Sequence, residues 1–357
     1  MTIDKRQYYP QLDALRAIAV LLVIISHWFA REHFLNRYTA NGILGVVLFF
    51  VLSGFLITDI LLRSKANYEL GVPLGHTFKV FYMRRFLRIF PVYYMLLLLL
   101  VFLNDASIRE SFWWHYFYGS NIYFWLKGTF EGSLSHFWSL AVEEQFYIVW
   151  PAIILLVTRK YLMPVLITGV IAGVLFRLVM VTAASDMGRL LMPASLDSFC
   201  IGGLLAYSRK ERKHWYKKYL DHQKWIVLFA IILLVVIHLQ ILQWTFEPYF
   251  TSLYILFISI SFGILINRVT YTIETPVVSQ ILNNSVLLYI GKISYGVYLF
   301  HNFIPQLYGL SFPGVPSYIS FYLTQLFRFA VLLFVSSLSW FLLEKPILNM
   351  KQRFEFQ

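Results

Sequence analysis

Gln11-Leu-Asp-Ala-Leu-Arg-Ala-Ile-Ala-Val-Leu-Leu-Val-Ile-Ile-Ser-His27 is an apolar run of helix length that carries a cation and an imidazole along with it. At about 1.5 Å and 100° per residue, His27 lies roughly 16 Å along the helix from Arg16 and about 20° off the same face. Ionisable groups in hydrocarbon cost several kcal/mol unless they face a bundle interior, so the pair marks a functional site by default. The plainer reading is that Arg16 snorkels to one interface and His27 ends the helix at the other.

The rest of the chain has the same character. With 59% hydrophobic and 13% charged residues and a mean hydropathy of +0.65, the composition predicts an all-α polytopic membrane protein. Residues 1–357 are expected to form a single integral-membrane domain. Mostly apolar runs fall at about 12–30, 42–62, 86–103, 137–158, 161–183, 193–207, 225–243, 249–266, 285–304 and 318–343, which makes about ten transmembrane helices. The sixth is short, and Gly202-Gly203 within it permits close helix contact.

An even number of spans puts both termini on one side. If that side is cytoplasmic, it collects about 21 of the 30 Lys and Arg residues, against about 5 on the far side, as the positive-inside rule requires. The net charge of +12 therefore reads as topology and contact with membrane lipids, and nucleic acid is not an expected partner. The single cysteine, Cys200, excludes an internal disulfide and a Cys-based zinc framework, and no metal site is expected. No cleavable signal peptide, internal repeat or soluble appendage is visible.

Sorting polar residues by depth gives two layers. Arg16 falls near the cytoplasmic end, level with Arg85 and Arg88 at the entrance to the third span. Arginines three apart share a helix face and suit a polyanionic ligand such as a phosphate group. His27, Glu143 and His301 fall in the outer third, with Asp197 near the outer end of the sixth span. An imidazole beside a carboxylate is the pairing that general-base work needs. Ser53, His301, Tyr147 and Asp197 are additional candidate site residues; Ser53 reads first as a backbone-bonded serine beside the close-packing Gly54. The aromatic stretch 112–125 reads as an interfacial belt.

Five segments, in order, resemble the membrane acyltransferase 3 family: Leu12-Asp-Ala-Leu-Arg16 with His27, Phe49-Phe-Val-Leu-Ser-Gly-Phe-Leu-Ile57, Arg85-Phe-Leu-Arg-Ile-Phe-Pro91, Trp138-Ser-Leu-Ala-Val-Glu-Glu-Gln-Phe-Tyr147 and Ile293-Ser-Tyr-Gly-Val-Tyr-Leu-Phe-His301. The family includes bacterial O-acetyltransferases of cell-surface polysaccharide, lipopolysaccharide and peptidoglycan. The resemblance implies an acyl-CoA donor, usually acetyl-CoA, used as substrate with no bound cofactor, and a carbohydrate hydroxyl as acceptor. It implies a multi-pass protein of the bacterial inner membrane, with Arg16 and His27 as an essential pair, Arg85 and Arg88 as the paired-arginine motif that holds the CoA phosphates, and Glu143 as a functional acid. Where family members often carry an arginine two residues before the aspartate, this chain has Ser195 ahead of Asp197. Others carry an extra outer hydrolase-like domain, and this chain is expected to be a stand-alone member.

The combined expectation is an O-acyltransferase in which Arg16, Arg85 and Arg88 hold the CoA phosphates and His27, supported by Glu143, deprotonates the acceptor. Direct attack and a covalent acyl-enzyme stay open, and the oligomeric state is not legible. Stacked intramembrane Arg, His and Glu also suit a transporter or flippase for a lipid-linked or anionic solute. A non-catalytic subunit of a glycan-assembly complex is the other alternative.

Overall fold

The computed structural model describes residues 9–37, 41–130, 132–183, 186–211, 248–271, 276–306 and 316–353, and every regular element among them is helical. The principal helices are α1 (Pro10–Trp28), α2 (Asn41–Glu69), α3 (Leu74–Phe102), α4 (Phe137–Leu156), α5 (Arg159–Ala183), α6 (Leu196–Glu211), α7 (Pro248–Tyr271), α8 (Ser285–Lys292), α9 (Ser294–Phe300) and α10 (Ser317–Ser339). Seven of these, all but α6, α8 and α9, are long and apolar enough to cross a membrane. Helices satisfy their own backbone groups, which is what hydrocarbon demands of a spanning segment.

Of the three remaining predicted spans, two differ from expectation. The sixth is the 16-residue α6. The seventh, 225–243, lies outside the described residues. The ninth is two short helices that break at Ile293, next to the point where Gly291 meets the Asp13 carbonyl of α1 so closely that a Cβ there would overlap it.

Hydropathy also misplaced the start of α3. The helix begins at Leu74, after Pro73, so Arg85 and Arg88 lie in its middle and not at its entrance. A helix needs no apolar residues to continue, since its hydrogen bonds are internal. The apolar stretch therefore begins well after the helix does.

Helix α2 is central and packs against α1, α4, α6 and α7. Its tightest crossing is with α6, where a Cβ on Gly54 would overlap the Phe199 carbonyl and one on Gly202 the Val51 carbonyl. Small residues here let two backbones touch, as the Gly202-Gly203 pair predicted. Lys65, 4% exposed near the end of α2, donates to the carbonyls of Ile154, Leu155 and Val157 at 3.1, 2.8 and 2.7 Å, and so caps the C-terminal end of α4.

Asp197 is locked into the packing of α5, α6 and α7. Its oxygens accept from Arg177 of α5 at 3.0 and 2.7 Å, and both side chains are essentially sealed from solvent. Arg177 also donates to the carbonyls of Ala194 and Ser252, the latter on α7. The arginine missing at Ser195 thus arrives from another helix.

Outside the spans, the short helix Phe112–Tyr116 turns His115 inward between the rings of Phe124 and Phe137. It is 1% exposed, and neither ring nitrogen has a hydrogen-bond partner among the described residues. Burial lowers its pKa from 6.5 to about 4.

Two outcomes follow from these buried groups. Arg177→Met and Asp197→Leu should each cost about 3–5 kcal/mol by leaving an uncompensated buried charge, with the double variant recovering much of the loss; thermal unfolding in detergent measures this. His115 contributes stability that is full above pH 6.5 and is lost as pH falls toward 4, because the unfolded chain gains the proton first. The drop amounts to about 3 kcal/mol, and His115→Phe should remove that share of the acid sensitivity.

Candidate active site

Two cavities open at opposite ends of α1. The first, of about 590 Å³, is lined by Asp13, Arg16, Ser53, Arg85, Arg88, Glu143, Glu144 and Tyr147, with Lys292 and Trp340 also on its wall. The second, of about 650 Å³, is lined by His27, Arg31, Arg37, Arg177, Arg189 and Ser198 among others. Val46, Phe50 and Tyr298 line both, so these side chains form the partition between them.

In the first cavity, Arg16 forms an ion pair with Asp13 in its own helical turn. Arg85 lies over the rings of Tyr147 and Phe81, 5.3 and 5.9 Å from their centroids. Neither Arg85 nor Arg88 has a hydrogen bond or a salt bridge to a carboxylate among the described residues. Guanidiniums that face a cavity without a direct bond to a carboxylate have the chemistry to take an anion. Lys292 adds a further cation, 5.4 Å from the centroid of the Trp340 ring. Trp340 opens a π-helical turn, Trp340–Glu344, and its buried indole N–H has no hydrogen-bond partner among the described residues.

Glu143 belongs to this first cavity. Its carboxylate accepts from the hydroxyls of Ser53 and Tyr147, which lie 3.2 Å from each other. Ser53 therefore points at a carboxylate and not at the backbone, although its neighbour Gly54 makes the expected close contact. No histidine takes part in this group, so Ser53 lacks the base of a Ser–His pair.

His27 stands in the second cavity, exposed on its wall. The expected support of His27 by Glu143 is not what the structure contains. The Nδ1 of His27 lies 2.7 Å from the Nε2 of His301, with the two rings stacked at 6°. The residue near α4 that packs in this group is His136, directly ahead of the helix, whose ring meets His301 edge-on at 4.7 Å. Glu143 lies seven residues further along, roughly 10 Å down a helix, and that offset carries it into the other cavity.

The partition is held from α4 and α9. Tyr298 Oη lies 2.5 Å from Ser139 Oγ and donates to the His136 carbonyl at 3.2 Å. Phe49 packs edge-on against Tyr298, and Phe50 against Trp138 and Phe199. Sequence reasoning missed Asp13, Ser139, Lys292, Tyr298 and Trp340 as wall residues. Tyr298 had a usable signal, three residues before His301; Trp340 had none.

The described residues thus form a helical membrane bundle with two cavities, one walled by arginines at one end of α1 and one walled by His27 at the other. A family description given as an acyltransferase domain matches residues 9–344, and the chain belongs to that family, acyltransferase 3. It is similar to the peptidoglycan O-acetyltransferase OatA of Listeria monocytogenes, 28% identical over 332 residues that cover 83% of this chain and 49% of that protein. The putative peptidoglycan O-acetyltransferase YrhL of Bacillus subtilis is 31% identical over 325 residues, covering 83% and 48%. A putative O-acetyltransferase of Staphylococcus aureus is 31% identical over 326 residues, covering 83% and 50%. The chain thus spans about half the length of the curated relatives it matches. No solved structure matches it.

Since Arg85 and Arg88 make no hydrogen bond or ion pair to a carboxylate among the described residues, folding should not depend on them. Arg85→Ala and Arg88→Ala are expected to change thermal stability by no more than about 1 kcal/mol, a loss that for Arg85 includes its contact with Tyr147.

Proposed function

We propose that the protein is an inner-membrane O-acyltransferase that moves an acyl group, acetyl by preference, from acyl-CoA to a hydroxyl of a cell-surface carbohydrate. The observation that carries this reading is the pair of cavities sharing one thin partition. Each has a volume suited to a small-molecule ligand. With both termini cytoplasmic, the first cavity faces the compartment that holds CoA, and the second faces the carbohydrate.

In this reading the CoA phosphates dock on Arg85 and Arg88, with Lys292 nearby, and the pantetheine arm brings the thioester to the partition. Arg16 is already paired with Asp13 and orders the wall more than it binds phosphate. Glu143 sets the Ser53 and Tyr147 hydroxyls beside the arginines, in the cavity that receives the thioester. From the other side, an acceptor hydroxyl reaches His27. The imidazole takes the hydroxyl proton as oxygen bonds to the thioester carbonyl carbon. The C–S bond then breaks, and the proton passes from His27 to the departing CoA thiolate. The names of the relatives favour a peptidoglycan-type glycan as the acceptor class.

The test uses protein reconstituted in vesicles, radiolabelled acetyl-CoA as donor and soluble peptidoglycan glycan fragments as acceptor. His27→Ala should reduce transfer by at least about a hundredfold. Replacing Arg85 and Arg88 together should raise the KM for acetyl-CoA more than tenfold, about 1.4 kcal/mol or more, without altering acceptor choice. Full transfer by His27→Ala would refute the assignment of the base, and an unchanged donor KM would refute the phosphate site.

A further inference from the structure

We propose that His301 is a positioning residue that holds His27 in the tautomer with Nδ1 protonated and Nε2 bare toward the second cavity. The inference rests on the reading of His27 as the base, and it adds the reason that this imidazole is ready to accept a proton.

The argument starts from a group whose role is fixed. The Nδ1 of His301 lies 2.5 Å from the Tyr298 carbonyl oxygen. A carbonyl only accepts, so Nδ1 of His301 carries a hydrogen. In a neutral ring the other nitrogen then presents a lone pair. That nitrogen, Nε2, lies 2.7 Å from His27 Nδ1, and a hydrogen bond of that length needs one proton between the two atoms. The proton belongs to His27 Nδ1, which leaves the lone pair of His27 on Nε2. Of the two rings, only His27 lines a cavity; His301 is fully buried. No described carboxylate is within hydrogen-bond reach of either ring, so a resting charge on the pair would go uncompensated, and the neutral arrangement costs least.

The geometry is held from three directions, all at the end of α9. A helix leaves its last carbonyls without internal partners. Here the Tyr298 carbonyl is taken by the His301 side chain, the Leu299 carbonyl by His136 Nε2 at 3.2 Å, and the His301 carbonyl by Trp28 Nε1 at 3.0 Å. Trp28 follows His27 in sequence, so α1 grips His301 through its ring and through its backbone. When His27 takes a proton on Nε2, its Nδ1–H bond to His301 strengthens and spreads the new charge toward a helix end lined by carbonyls. The proton then leaves from the same Nε2. His301 thus does for His27 what a carboxylate does in other base dyads, without placing a permanent charge in the bundle.

The test compares His301→Gln with His301→Asn in the full chain reconstituted in vesicles. A glutamine amide oxygen reaches the place of Nε2 and can accept from His27; an asparagine amide reaches only the place of Nδ1. Expected is a fall in kcat of about a hundredfold or more for Asn and of less than about tenfold for Gln, with the KM for acetyl-CoA unchanged in both. Imidazole 15N spectra of the wild-type protein, assigned by loss of the His27 signals in His27→Ala, should show neutral His27 protonated on Nδ1, and His301→Asn should mix the tautomers. A wild-type His27 protonated on Nε2 would overturn the proposal even if His27 proved essential. Equal losses for Gln and Asn with the tautomer unchanged would also overturn it. The expected tautomer together with full activity in His27→Ala would instead refute the base and leave the positioning intact.

Discussion

A polar group carried into a membrane bundle has no water to fall back on, so its partner must come from another part of the protein. Most of this structure follows from that requirement. Arg177 meets it through Asp197 and two carbonyls, tying α5 to α6 and α7. Lys65 meets it by capping α4, and His301 by bonding to its own helix end and to His27. Arg85 and Arg88 stand out because they face a cavity and have no hydrogen bond or ion pair to a carboxylate among the described residues. Where a bundle otherwise bonds its charges internally, two such cations are what the proposed phosphate site requires.

Much of the architecture was legible in the apolar runs. Those around α1, α2, α4, α5, α7 and α10 match helices to within a few residues at most ends, because a spanning helix must be both long and greasy. The start of α3 was not legible, since its first turns are polar and only the internal hydrogen bonds show that the helix continues. The break at Ile293 was hidden for the opposite reason: hydropathy stays high through 285–304, and the interruption follows from the approach of Gly291 to α1.

The candidate site was legible in its residues and not in its pairings. Arg85, Arg88 and Glu143 do share a cavity, and His27 does stand apart from Arg16 at the other end of α1. The partner of His27 was misjudged because a carboxylate is the expected orienter and Glu143 was the nearest one by estimated depth. Its actual partner, His301, was among the candidates, but stacking between rings 274 positions apart leaves no local pattern. The same holds for Arg177, whose partner Asp197 comes from the next helix.

Adjacent residues of α1, His27 and Trp28, hold the side chain and the backbone of His301 at once. On a helix two neighbours point about 100° apart, so a rotation or slide of α1 that keeps one contact breaks the other. This makes α1 the stator of the machine. The helices α5 and α10 contrast with it, since among the described spans their faces are the least enclosed.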